Sequence, residues 1–416
     1  MDEIHHNVDD ITQEFLKTLI EKDTGEEEIE MKDFHVERAT EAGDNFATIV
    51  YRIKACYISG CDGSRKNRDT VYIGKFLPVQ PKHRETIEQI GFFKREVLVY
   101  NDLIPTMVNL QKEKMIMPDV PRCIYANEES TPIAAVIMED LCTKGFRLAD
   151  KYQGLQPNEI RLLMRAYGRF HALGVLVDRH TDYSSWPIFC ENPFNNLPDL
   201  GVFVRNSLDS VWKVLEDIPG QKKNARRVKD YVVKVDGGKE RFLELTKPRG
   251  RLQTFLHGDC WCNNMMFRYD TDTGEPVEIK ILDLQIVAYG NPCRDLLYAF
   301  YTSTSREVRE QTPAFLQLYH DTLVATARSL GLVLDYSFQD FQKDMEAHEE
   351  YGFIMAMFII PIILAEKTEV PDFTMTDMNT DEMMRLREQQ LFSGGTPAIK
   401  QRLVEVVEHM VQLGVL

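Results

Sequence analysis

Leu256-His257-Gly258-Asp259-Cys260-Trp261-Cys262-Asn263-Asn264-Met265-Met266-Phe267, followed by Ile279-Lys280-Ile281-Leu282-Asp283-Leu284-Gln285, is the stretch on which the reading of the chain turns. Asn264 stands five positions after Asp259, and Asp283 closes a short apolar strand further on. An amide oxygen and a carboxylate suit a hard cation, which prefers oxygen ligands. A separate carboxylate facing them can meet the proton of a hydroxyl. Phosphoryl transfer is the chemistry that needs this spread, because the attacking hydroxyl must be aligned while the phosphate charge is neutralised. Cys260 and Cys262 flank Trp261 in this stretch. Two thiols alone cannot complete a zinc site, so they read as small hydrophobes. Trp261 reads as core packing.

The same spacing is that of the protein-kinase catalytic loop, with its Asp, an Asn five residues on and a separate metal-binding Asp. The combined string His-Gly-Asp-x-Trp-x-Asn-Asn with Asp-x-Gln resembles the insect ecdysteroid-kinase-like (CHK-type) proteins, relatives of the choline and aminoglycoside kinases. The resemblance runs from about Glu30 to about Gly414. It implies an α+β, two-lobed protein-kinase-like fold, with a small β-rich lobe ahead of a larger helical one. It also implies ATP and Mg2+ as cofactors, with Asp259 orienting the acceptor and Asn264 and Asp283 holding the metal. His257 and Asp295 would support the loop from beneath, and Gln285 would bond the loop or the phosphates. For Asp295, in Pro292-Cys293-Arg294-Asp295-Leu296, a helix N-terminal carboxylate is the plainer reading. His171, in Gly168-Arg169-Phe170-His171-Ala172, reads as a satisfied core histidine.

The bulk properties agree with a soluble enzyme. The chain has 416 residues, 44% hydrophobic and 27% charged, with a net charge of −16. That acidity argues against nucleic acid as a partner, since phosphate backbones are bound by basic surface. Met1–Asp10 has no basic start or apolar run, so no secretory leader is expected. The longest apolar stretch, Gly352–Ala365, contains Pro361 and is too short to span a bilayer. The eight cysteines follow no zinc spacing and read as reduced thiols of a cytoplasmic protein.

Periodicity divides the chain into an N-terminal helix and acidic linker (1–30), a nucleotide-binding lobe (31–140) and a catalytic and substrate-binding lobe (141–416). Ile11, Phe15, Leu16 and Leu19 are spaced for an amphipathic helix over Val8–Ile20. Alternating Ala47, Ile49, Tyr51, Ile53 and Ala55 predict a half-buried strand over Phe46–Tyr57, and Val71–Leu77 predicts another. Glu85–Leu103 reads as one helix, with strands following near Arg122–Ala126 and Ile133–Met138. Beyond Glu139 helices are expected from Pro157, over Ser207–Glu216, Gln221–Glu244, Asp295–Ser303, Arg306–Gly331, Phe338–Leu364 and Asp381–Leu413. Strands near Met265–Tyr269 and Glu278–Asp283 flank the catalytic stretch.

Lys75 interrupts an apolar strand face, and a buried ammonium requires an anionic partner. ATP phosphates and Glu96 are the natural pair, with Glu85 and Glu88 as other choices. The family helix pattern Phe-x-x-Glu-x-x-x-Tyr fits Phe93–Tyr100 and favours Glu96. Gly43-Asp44-Asn45-Phe46-Ala47 joins two strands and alone is only a hairpin turn; the resemblance makes it the phosphate cover. Glu139 and Leu141 fall at the hinge, where backbone groups would meet an adenine. The resemblance further implies a hydroxylated, lipophilic small-molecule substrate, an ecdysteroid or a xenobiotic alcohol. The apolar, Met-containing run Phe353–Ile360 suits an adaptable pocket wall but equally an ordinary core helix. Two other readings compete: a choline or ethanolamine kinase, and a non-catalytic binding protein on the kinase fold.

Overall fold

The structure, a computed structural model, describes residues 11–40, 48–60, 65–78, 80–112, 115–182, 186–197, 200–364 and 396–416. Its first half is built on strand alternation. Strands β1 (Glu30–Arg38), β2 (Ile49–Ser59), β3 (Lys66–Phe76), β4 (Cys123–Asn127) and β5 (Ala135–Glu139) form a five-stranded sheet in the order β1-β2-β3-β5-β4. Because side chains alternate along a strand, the sheet has two distinct faces. Ile53, Ala55, Tyr57, Tyr72, Phe76 and Ile137 point outward, beneath helix α1 (Gln13–Thr24) and its Leu16, Leu19 and Ile20. Val136 and Met138 point inward to Phe93, Val97 and Tyr100, and this core runs on without a break into the helical half. The N-terminal helix is therefore the cover of the sheet's outer face. It starts after Thr12, whose hydroxyl accepts from Phe15 N–H, and runs to Gly25 rather than ending at Ile20.

The expected helix over Glu85–Leu103 is broken. It becomes α2 (Pro81–Ile90), α3 (Phe92–Leu98), a π-helical turn (Val99–Leu103) and α4 (Ile104–Asn109). Gly91, at φ +81°, ends the first piece in the left-handed conformation that favours glycine. After the hinge a short strand β6 (Phe146–Leu148) leads to α5 (Pro157–His180), which opens with a capping box between Gln156 and Glu159. Then come α6 (Pro187–Cys190), α7 (Leu200–Glu216), α8 (Lys222–Lys234) and α9 (Lys239–Thr246). The single helix expected over Gln221–Glu244 is split because Asp236, Gly237 and Gly238 all take positive φ.

Strands β7 (Thr254–Leu256), β8 (Met265–Tyr269), β9 (Pro276–Ile281) and β10 (Ala288–Gly290) carry the catalytic stretch. β10 pairs with β7, and β6-β8-β9 form a three-stranded sheet. The remainder is α10 (Cys293–Ser303), α11 (Arg306–Arg309), α12 (Thr312–Ser329), α13 (Phe338–Ile363) and α14 (Pro397–Gln412). Arg306–Gly331 is thus also two helices, with Pro313 in the first turn of the second. α10 lies tightly on α13 because Gly352 has no side chain: a Cβ there would sit 2.6 Å from the Tyr301 ring. Among the described residues no helix is long and apolar enough to cross a membrane.

Candidate active site

The catalytic stretch is held from below by one buried carboxylate. Asp295, in the first turn of α10, accepts from His257 N–H at 2.7 Å and from Gly258 N–H at 3.0 Å. His171 on α5 reaches the same carboxylate through Nε2 at 3.1 Å, and its Nδ1 meets the Tyr319 hydroxyl at 2.9 Å. Burial disfavours the charged form of Asp295, yet His171 and His257 hold its carboxyl below the usual aspartate value. Gly258 is required where it stands, at φ +87°, because a Cβ would lie 2.4 Å from the Ile286 carbonyl oxygen. His257 Nε2 is 2.7 Å from the Leu282 carbonyl oxygen, so Nε2 is the protonated nitrogen. Its Nδ1 is then free to accept from the Tyr167 hydroxyl at 3.3 Å. His257 therefore pins the catalytic loop to the strand that delivers Asp283.

Above this frame stand Asp259 and Asn264. Asn264 Nδ2 donates to Asp259 Oδ2 at 2.7 Å and to the Asp259 carbonyl at 3.1 Å. Tyr298, from α10, donates to Asp259 Oδ1 at 2.9 Å. Burial, and then the nearby Asp283 charge, raise the Asp259 carboxyl to about 6 against the pull of His257, Tyr298 and Asn264. The Leu282 N–H donates to the Asn264 carbonyl at 2.8 Å, which sets Asp283 beside this pair. Asp283 has φ +66°, a left-handed conformation that aspartate tolerates but most residues do not. Gln285 Nε2 donates to Asp283 Oδ2 at 3.1 Å.

From the small lobe, Lys75 reaches across to the same place. Its Nζ lies 2.8 and 3.0 Å from the Glu96 oxygens and 2.6 Å from Asp283 Oδ1. Lys75 is 8% exposed and Glu96 fully buried. Desolvation opposes the ammonium, but Asp283 and Glu96 together outweigh it and raise its pKa, so Lys75 stays charged. Of the three candidate glutamates, Glu88 pairs with Arg84 and Glu85 with Gln89, so only Glu96 meets the lysine.

At the expected hinge, the side chains of Glu139 and Leu141 have partners within the protein. The Glu139 carboxylate accepts from Arg122 N–H at 2.8 Å and from Lys144. Leu141 packs with Phe146, Met266 and Leu282 in a small apolar cluster. The expected phosphate cover, Gly43, Asp44, Asn45, Phe46 and Ala47, lies outside the described residues. Two cavities, of about 530 and 720 Å³, lie beside β4 and between α11 and α14; Asp259, Asn264 and Asp283 line neither.

Sequence reasoning passed over two residues. Tyr298 follows Asp295 by three positions, a spacing that puts both on one helix face. Arg95, next to Glu96, is 2% exposed and donates to the Ile188 and Val287 carbonyls. Burial pulls its guanidinium down to about 10. No periodic signal marks such a buried cation.

The donor set can be tested for a metal. Among the described residues no three His, Cys, Asp or Glu side chains form a cation cage. Both bonds given by the Asn264 side chain come from its nitrogen, which leaves its oxygen to face a cation. Asp283 supplies a carboxylate. Magnesium fits such a sparse set, because it is ordinarily held by one or two carboxylates and completes its shell with phosphate oxygens and water.

The class that these strands and helices define is a two-lobed, kinase-like fold. The ecdysteroid kinase-like family model matches residues 42–332, and the chain belongs to that family. No match was found among curated proteins. Solved structures similar to the chain include aminoglycoside 2'-phosphotransferase-IIIa bound to GDP, at 12% identity and TM-score 0.38, covering 95% of this chain and 99% of that one. The GDP complex of a mutant of the same enzyme gives 11% identity, TM-score 0.40 and coverage of 94% and 97%. Likeness at that level says nothing about nucleotide or acceptor for this chain. Family membership supports a small-molecule kinase.

Proposed function

We propose that the chain is an ATP- and magnesium-dependent kinase that phosphorylates a hydroxyl group of a small, lipophilic molecule, an ecdysteroid or a xenobiotic alcohol. The observation that carries this reading is the Lys75 ammonium bridging Glu96 and Asp283, with Asp259 and Asn264 adjoining. Lys75 would turn to the triphosphate, with Glu96 keeping it charged and oriented. Asn264 and Asp283 would hold the metal, which when bound neutralises phosphate charge. Asp259 would accept a hydrogen bond from the acceptor hydroxyl and align it for in-line attack. The chain's contribution is alignment and electrostatic stabilisation. Leu141, Phe146 and Met266 offer apolar surface for a base, with the backbone around Glu139 as its polar partner. Gly43–Ala47 would cover the phosphates, and Gln285 would steady Asp283. The lipophilic acceptor is suggested by the family's description alone, since the Met355 and Met357 side chains of α13 are core packing in their own right. The described cysteines are free thiols, in keeping with a cytoplasmic site of action.

The test is product formation from ATP across ecdysteroids, sterol-like alcohols, hydroxylated toxins and choline, comparing wild type with Asp259→Asn. Turnover by wild type that falls at least about 100-fold in the variant supports the reading. Equal product from both supports a non-catalytic binding protein instead, and turnover of choline alone moves the acceptor class.

A further inference from the structure

Helix α10 runs alongside the catalytic loop and grips it at three successive points. Asp295 takes the His257 and Gly258 amides, Tyr298 donates to the Asp259 carboxylate, and Ser303 Oγ accepts from Cys262 N–H at 2.9 Å. Two of these contacts hold backbone. Only the Tyr298 contact holds the carboxylate itself.

We propose that Tyr298 is a positioning residue for phosphoryl transfer: its phenol fixes Oδ1 of Asp259 so that one lone pair faces the acceptor hydroxyl. This rests on the kinase reading of the site. Three observations carry it. Tyr298 is 1% exposed, so its hydroxyl has no water to choose instead. The other Asp259 oxygen is already taken by Asn264 at 2.7 Å, so Tyr298 closes the last rotational freedom of the carboxylate. Asn264 in turn depends on Asp259, because its nitrogen must stay on the carboxylate for its oxygen to face the metal. Loss of the phenol would therefore loosen both the acceptor-facing and the metal-facing groups. The ring is seated independently of its hydroxyl, since α10 packs on α13 and Tyr298 lies in the apolar core. Removing the hydroxyl alone should leave the helix in place.

The experiment is Tyr298→Phe, read by kinetics and by crystallography. The expected result is a kcat lowered about 10- to 100-fold, the range of one hydrogen bond to a charged group, with KM for nucleotide within about twofold. Crystals of the variant should show the Asp259 carboxylate turned or in two orientations. Tyr298→Leu, which empties part of the core, serves as the structural control: it should lower the melting temperature, which Tyr298→Phe should not. An unmoved Asp259 carboxylate with unchanged kcat overturns the proposal. If wild type proves inactive on every acceptor, the kinase reading falls and takes the role in phosphoryl transfer with it, and a carboxylate released in the variant then shows only that Tyr298 holds Asp259 in place.

Discussion

Replacing Lys75 by Met should destabilise the protein by an amount that depends on pH in a calculable way. At 2.8 Å and an effective dielectric constant of about 20, the attraction of Lys75 for Glu96 is roughly 6 kcal/mol. Burial holds the Glu96 carboxyl above its ordinary value even beside Lys75, which pulls the other way; without the ammonium it is a fully buried carboxylate with no counter-charge. It will not stay ionised, because taking up a proton is cheaper. For a carboxyl with an ordinary pKa of 4.5, protonation at pH 7 costs roughly 3 kcal/mol, and at pH 5 less than about 1 kcal/mol. Protonation therefore sets the ceiling. In the variant the folded state binds one more proton than the unfolded state, so its stability falls as pH rises above 4.5. Urea unfolding of wild type and Lys75→Met at pH 5, 6, 7 and 8 should show a deficit that widens with pH, up to roughly 3 kcal/mol at pH 7, wild type sharing part of the effect because its Glu96 is already shifted upward. The double variant Lys75→Met/Glu96→Leu should lose that pH dependence. A deficit that is flat with pH, or below about 1 kcal/mol at pH 7, would refute the claim that Glu96 is sealed from water and held by Lys75.

Gly258→Ala should cost more than about 2 kcal/mol, because φ +87° disfavours a Cβ and the Ile286 carbonyl oxygen would stand 2.4 Å from it; a denaturation midpoint within error of wild type would contradict this. If Asp283 holds the metal as proposed, Asp283→Asn should raise the magnesium concentration needed for half-maximal turnover by about 10-fold or more, measured at saturating nucleotide, since the anionic group proposed as ligand becomes neutral. Glu349 is pushed up to about 7 by burial, with Glu346 adding to it, while its bond from Tyr301 opposes the shift. An acid whose folded pKa is raised destabilises the fold as pH climbs from 4.5 through 7. Glu349→Gln, which keeps an acceptor for Tyr301, should thus gain up to roughly 3 kcal/mol at pH 8 and nothing near pH 4 by urea unfolding.

The kinase-like architecture was legible because its signals are local. Strand alternation around Ile53 and the spacing from Asp259 to Asn264 to Asp283 are properties of neighbouring residues, and they carried the family and fold class. Helix breaks were less legible. Gly91 and the Asp236-Gly237-Gly238 run interrupt apolar periodicity without removing it, so window-based reading merges the pieces.

What the sequence by itself determined was the set of chemical groups: an ammonium on an apolar strand face, two carboxylates and an amide at kinase spacing. What only the tertiary structure decided was their pairing. Among Glu85, Glu88 and Glu96 the family pattern favoured the third, but the contact itself is made in three dimensions: Glu96 lies on α3, past the Gly91 break that ends the α2 carrying the other two, and meets Lys75. Tyr298 and Arg95 became visible only when α10 was laid along the catalytic loop and α3 against the segment after Asp283. A hydrogen bond between residues far apart in the chain leaves no periodic trace, because its partners are brought together by packing rather than by proximity along the backbone.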